Sequence, residues 1–110
     1  ICIFIDDISE FVDAVENETR NWMDNIARLA EDLGVLLFAG GRIGDVSKLA
    51  DIEPLTSTIV KYQHGILVDG SPSNAGFFNN NLSFTERDQT CGKGNAWLFN
   101  NGYCEKIKLP

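Results

Sequence analysis

The sequence predicts an α/β domain built on a parallel sheet, and three observations carry that expectation. Ile1-Cys2-Ile3-Phe4-Ile5 is a continuously apolar run with β-branched members, the pattern of a strand buried on both faces. Val35-Leu36-Leu37-Phe38-Ala39 repeats the pattern after a helical stretch, and the segment from His64 to Gly70 repeats it after another. Strands alternating with helices are joined by crossovers and lie parallel. The chain then ends on two apolar-patterned runs separated by Asn100-Asn101-Gly102, which adds an antiparallel hairpin at the edge.

Taken in order, the first strand runs straight into Asp6-Asp7. Ser9 is a natural N-cap for the helix that follows, with Glu10 and Asp13 placed well for its dipole. Trp22, Ile26, Leu29, Ala30 and Leu33 then fall at i, i+4, i+7, i+8 and i+11, which predicts one apolar face of a long helix turned to the core. Phe11, Val12 and Val15 extend it backwards, as a separate turn or a kinked start. Gly34 is the expected stop. After the second strand comes Gly40-Gly41-Arg42-Ile43-Gly44, then a short helix over Asp45 to Ala50. Another helix starts near Pro54, whose fixed φ suits a first turn, and runs to about Tyr62. The third strand spans His64 to Gly70. Ser71 to Gly94 reads as irregular, anchored by Phe77, Phe78, Leu82 and Phe84. The hairpin closes the chain, from Asn95 to Phe99 and from Tyr103 to Leu109.

Composition narrows the function. A length of 110 residues suits one small domain or part of a larger one, and a first residue of Ile with no preceding loop suggests a piece of a longer protein. The net charge is −7, and between Asp7 and Asp32 eight acids face only Arg20 and Arg28. No basic face is available, so nucleic acid is not expected as a partner. That acidic stretch suits a solvated helix face or a basic protein partner. No apolar run approaches the roughly 18 residues a membrane span needs. Cys2, Cys91 and Cys104 lack metal-ligand spacing, and their odd number points to reduced thiols in a cytosolic compartment. Cys2 is expected as a small buried residue of the first strand. His64 has no second histidine to join.

Three constellations carry chemistry. An acidic pair at the carboxyl end of a buried strand sits where open α/β sheets bind ligands. In nucleotide hydrolases this is the Walker B arrangement: Asp6 would hold Mg²⁺ and Asp7 would activate or orient water. The same pair also reads as a polar turn in which Asp7 or Ser9 caps the next helix. The partner motif G-x-x-x-x-G-K-[ST] occurs nowhere in the chain. Gly40-Gly41-Arg42-Ile43-Gly44-Asp45 could offer backbone amides to a phosphate, or be a flexible turn. Phe77, Phe78, Phe84 and Trp97 either line a peptide-binding groove or pin a long loop to the core.

Several segments together resemble one family: the FtsK/SpoIIIE-type motor ATPases of type VII secretion, the EssC/EccC/YukB group. They are Ile3-Phe4-Ile5-Asp6-Asp7 as Walker B, Leu33 to Gly40 as the following strand, Pro54-Leu55-Thr56, Gly65 to Gly70, and the closing Gly92-Lys93-Gly94-Asn95-Ala96-Trp97-Leu98-Phe99 with Gly102. They cover nearly the whole chain in the family's order. The resemblance implies a partial RecA-like (P-loop NTPase) three-layer sandwich lacking the Walker A half, with a C-terminal β-hairpin. Residues 1–110 would be the part of one such domain from the Walker B strand to the hairpin, and the hairpin resembles the end of the family's last domain.

For the parent protein the resemblance implies a membrane-anchored motor with tandem ATPase domains on the cytoplasmic side, an oligomer that uses ATP and Mg²⁺. Gly40-Gly41 stand where active motors carry Thr-Gln or Thr-Arg, and Asp7 stands where they carry Glu. The expectation is therefore a degenerate terminal domain that neither binds ATP tightly nor hydrolyses it. Its role would be to recognise small secreted helical proteins of the WXG type, with Phe77, Phe78 and Trp97 as the binding aromatics. The alternative is half of an active motor domain, with Asp6 and Asp7 as its Walker B pair.

Overall fold

The computed structural model describes all 110 residues, and they divide into two compact units, Ile1–Lys61 and Tyr62–Pro110. In the first unit, β1 (Cys2–Ile5) and β2 (Leu36–Ala39) pair in parallel with Cys2 opposite Leu36 and Ile5 opposite Ala39. Between them run α1 (Ile8–Ala14), α2 (Asn17–Arg28) and α3 (Ala30–Leu33). After β2 come α4 (Ile43–Ile52) and α5 (Pro54–Lys61). Ile5, Ile8, Val12, Ala27 and Leu55 form the buried core. The Ile, Val and Leu side chains among them each contribute about 1.5–3 kcal/mol by leaving water.

The single long helix is instead three. Val15 at the end of α1 and Glu16 before α2 both have extended backbone, so the chain breaks there. Gly34 ends α3 in the left-handed conformation at φ 67°, as its position predicts. The predicted core face is also corrected. Trp22, Leu29 and Leu33 are exposed, and α2 buries Asp24 and Ala27 instead. The reason is a polar anchor: the Thr58 hydroxyl of α5 donates to Asp24 Oδ1, while Arg28 Nε donates to Asp24 Oδ2 at 3.2 Å. That anchor turns the Asp24 side of the helix inward.

Cys2 is exposed rather than buried. Strand side chains alternate: Ile5 and Leu37 meet the core, whereas Cys2, Phe4, Leu36 and Phe38 lie on a face that this unit leaves uncovered. Phe4 and Phe38 stack there, ring centroids 5.0 Å apart.

In the second unit β3 (His64–Val68), β4 (Asn95–Asn100) and β5 (Tyr103–Lys108) form an antiparallel sheet in that order. The expectation that all three strands of the α/β pattern lie parallel therefore holds for β1 and β2 only. β3 takes the edge of β4, pairing Gly65 with Phe99 and Leu67 with Trp97. The hairpin itself forms as read, with Asn101 (φ 48°) and Gly102 (φ 91°) supplying the two positive φ angles of its turn. Residues 71–94 are irregular apart from two 3₁₀ turns, Pro72–Ala75 and Glu86–Asp88.

Candidate functional site

Parallel pairing brings the carboxyl ends of β1 and β2 to the same edge, so Asp6-Asp7 and Gly40-Gly41 are neighbours. Two backbone hydrogen bonds clamp the two loops together: Gly40 N–H donates to Ile5 O, and Ile8 N–H donates to Gly40 O, both at 2.8 Å. The approach is so close that a Cβ on Gly40 would lie 2.6 Å from Asp6 O. A Cβ on Gly41 would meet Val46 Cγ2 at 2.8 Å and Ile8 Cγ2 at 3.1 Å. The glycines are required by this junction, where a side chain has no room.

The acidic pair divides into two roles. Asp7 is the N-cap of α1: its Oδ1 accepts from Ser9 N–H at 3.0 Å and from Glu10 N–H at 3.3 Å. These satisfy two of the donors that a helix start leaves free. Asp6 is exposed. No group of three or more His, Cys, Asp or Glu side chains converges here or elsewhere in the chain in a metal-holding arrangement.

In the second unit, Phe77 and Phe78 are half-buried and pack edge to face at 4.8 Å, while Phe78 stacks on Phe99 at 5.0 Å. Trp97 is only 4% exposed, with Lys106 Nζ 5.4 Å from its ring centroid. Trp97 alternates with Leu98 onto the same side of β4 as Phe99 and is buried there. Phe84 stands apart at 83% exposure, with the Arg87 guanidinium 6.0 Å from its ring. Gln63 ties the loop down, its side chain donating to Phe77 O at 2.9 Å and accepting from Asn79 N–H at 2.7 Å. A recess of about 340 Å³ lies beside the hairpin, lined by Asn81, Leu98, Asn100, Tyr103, Cys104 and Glu105. Asn81 Oδ1 accepts from Cys104 N–H at 3.0 Å, closing part of the open edge of β5.

Two structural residues escaped the sequence reading. Glu53 is buried and caps α5 with both carboxylate oxygens, Oε1 accepting from Leu55 N–H at 3.0 Å and Oε2 from Thr56 N–H at 2.6 Å. Its place directly before Pro54 was the available signal. Asp24 showed no such signal, because its partner Thr58 is 34 residues away.

The fold of this chain occurs in solved structures. The cytoplasmic domain of EssC matches 100% of this chain at a TM-score of 0.82 and 21% identity. The chain shares its fold with part of EssC. The EssC structure containing ATPases 2 and 3 from Geobacillus thermodenitrificans also matches 100% of the chain, at a TM-score of 0.81 and 18% identity. The chain spans about a fifth of those EssC chains, 21% and 20% respectively. No protein-family model matches it, and no curated protein does. No helix is long and apolar enough to cross a membrane.

Proposed function

We propose that the chain is the part of an EssC-type ATPase domain from the Walker B strand to the closing hairpin, a partial RecA-like three-layer sandwich without its Walker A half. The carrying observation is the fold match over the whole chain at a TM-score of 0.82. On this reading the parent is a type VII secretion motor, with neighbouring ATPase domains on the cytoplasmic side of a membrane. The chain's own part is binding: Phe77 and Phe78, backed by Trp97, receive a helical segment of a small secreted WXG-type protein.

The residues present do not make up a site for ATP and Mg²⁺. Asp7 Oδ1 is engaged by two backbone amides, which supports a cap in place of a base. Asp6 and Asp7 bring two negative charges toward a polyphosphate, and no G-x-x-x-x-G-K-[ST] segment offsets them. No chemical step is therefore routed through the nucleotide. The alternative, half of an active motor with Asp6 on Mg²⁺, draws on Asp6 being the exposed member of the acidic pair.

Calorimetric titration of the whole chain with ATP-Mg²⁺ separates the two readings. The binding reading expects no heat at micromolar nucleotide; a low-micromolar dissociation constant lost in Asp6→Ala establishes the alternative. A fluorescent WXG-protein helix then tests the aromatic site, where Phe77→Ala weakens binding if the site is assigned correctly.

A further inference from the structure

Of the apolar row predicted as core, Trp22, Ile26, Leu29 and Leu33, the fold leaves three members outside and half-buries Ile26. Trp22, Leu29 and Leu33 are 67%, 50% and 56% exposed. Their steps of four, three and four residues are those of the a and d positions of a coiled-coil seam. The kink at Leu29 does not break the row. Leu29 N–H donates to Asn25 O at 3.1 Å and Leu33 N–H donates to Leu29 O at 2.9 Å, so Leu29 is tied both to the last turn of α2 and to α3. Glu18, Asn25 and Asp32 recur every seven residues along one side of the row, the g positions of the same register. On the other side, Met23 and Ala30 take the uncharged e positions and are half-buried.

A seam with a and d apolar and one acidic flank specifies its occupant. Residues at the flanks of such seams choose the partner by charge. A second copy is a poor occupant: antiparallel docking would set Glu18 against Asp32, and parallel docking would leave these acids without bases. Each copy also carries −7. An anionic membrane surface is opposed by the same charge.

We propose that α2 and α3 form a docking seam for a single amphipathic helix, apolar at its own a and d positions and carrying Lys or Arg along the flank that meets Glu18 and Asp32. The proposal goes beyond the ATPase-domain reading, because it uses only the surface of the first unit. Two heptads bury few anchors, so the expected affinity is micromolar, with salt weakening it as screening removes the flank contribution.

The test is fluorescence anisotropy of the full chain with a labelled helical peptide of about three heptads, Leu at a and d and Lys at e and g. A peptide with Glu in place of Lys, and one with scrambled order, serve as controls. The expected result is saturable binding of the Lys peptide only, weakened about tenfold by Leu29→Ser with Leu33→Ser. Glu18→Lys with Asp32→Lys should reverse the preference to the Glu peptide. These positions are exposed, so the variants keep the parent's thermal unfolding. Equal binding of Lys and Glu peptides, binding insensitive to the Leu29 and Leu33 changes, or no binding overturns the proposal. So does concentration-dependent dimerisation abolished by those changes, or seam-dependent capture by anionic vesicles.

Discussion

Gly65 of β3 lies directly under the ring of Phe78, so that a Cβ on residue 65 would stand 2.5 Å from both Cε2 and Cζ. Gly65 faces Phe99 across the β3–β4 pair, and Phe78 stacks on Phe99. The missing side chain of one residue is thus the space occupied by the ring of another. Through it the irregular segment is held to the sheet of the second unit.

Gly65→Ala should lower stability by about 1–3 kcal/mol through overpacking, read as a shift of the denaturant midpoint at unchanged slope. In the double variant with Phe78→Ala the two effects should fall short of additive, since the clash needs the ring. Strict additivity would mean that the ring does not press on this glycine.

Two nearby glycines should respond to alanine in opposite directions. Gly40→Ala forces a Cβ to within 2.6 Å of Asp6 O and should destabilise by roughly 1–3 kcal/mol. Gly44, inside α4, has nothing within 4 Å of its added Cβ. Gly44→Ala should stabilise by about 0.4–1 kcal/mol by restricting the unfolded chain. Thermal unfolding of both variants beside the parent measures the difference in sign.

The acidic pair should separate in the same assay. Asp7→Ala removes the cap of α1 and should cost about 1 kcal/mol, while Asp6→Ala should stay within about 0.5 kcal/mol of the parent. Equal losses at the two positions would contradict the division of roles.

The three thiols should react in order of exposure. Cys2 should be alkylated within minutes near neutral pH, and Cys91 and Cys104 only as the fold opens. Burial, with a smaller contribution from the Glu105 carboxylate, pushes the Cys104 thiol up to about 11 from 9.0. The native state therefore holds its proton where the unfolded chain has lost it. The corresponding stability is complete below pH 9 and is lost as pH rises from about 9 to about 11. Cys104→Ser should flatten that alkaline decline.

Much of the fold was legible because it is encoded locally. Asn101-Gly102 specified the hairpin turn through its positive φ angles, Gly34 stopped α3, and Pro54 opened α5. At the candidate site, the sequence placed Asp6-Asp7 and Gly40-Gly41 at strand ends, but left open whether Asp7 was a base or a cap. The hydrogen bonds that Asp7 accepts from Ser9 and Glu10 show the capping contact, which the sequence had offered as one of the two. Trp97 illustrates the opposite limit: its residue type suited a groove, and its burial depends on what covers the sheet.

By itself the sequence determined the order of the strands, the parallel direction of β1 and β2 and the closing hairpin, because strand patterns, turn residues and caps act over a few residues. Only the tertiary structure decided which face of α2 is buried, which sheet β3 joins and which thiols are hidden. Those outcomes depend on partners far along the chain. Asp24 finds Thr58, and Gly65 finds both Phe78 and Phe99. Periodicity finds an apolar row such as Trp22, Ile26, Leu29 and Leu33. It does not tell whether the row's partner lies in the same core or on another helix, because the free energy of burying it is the same in either place.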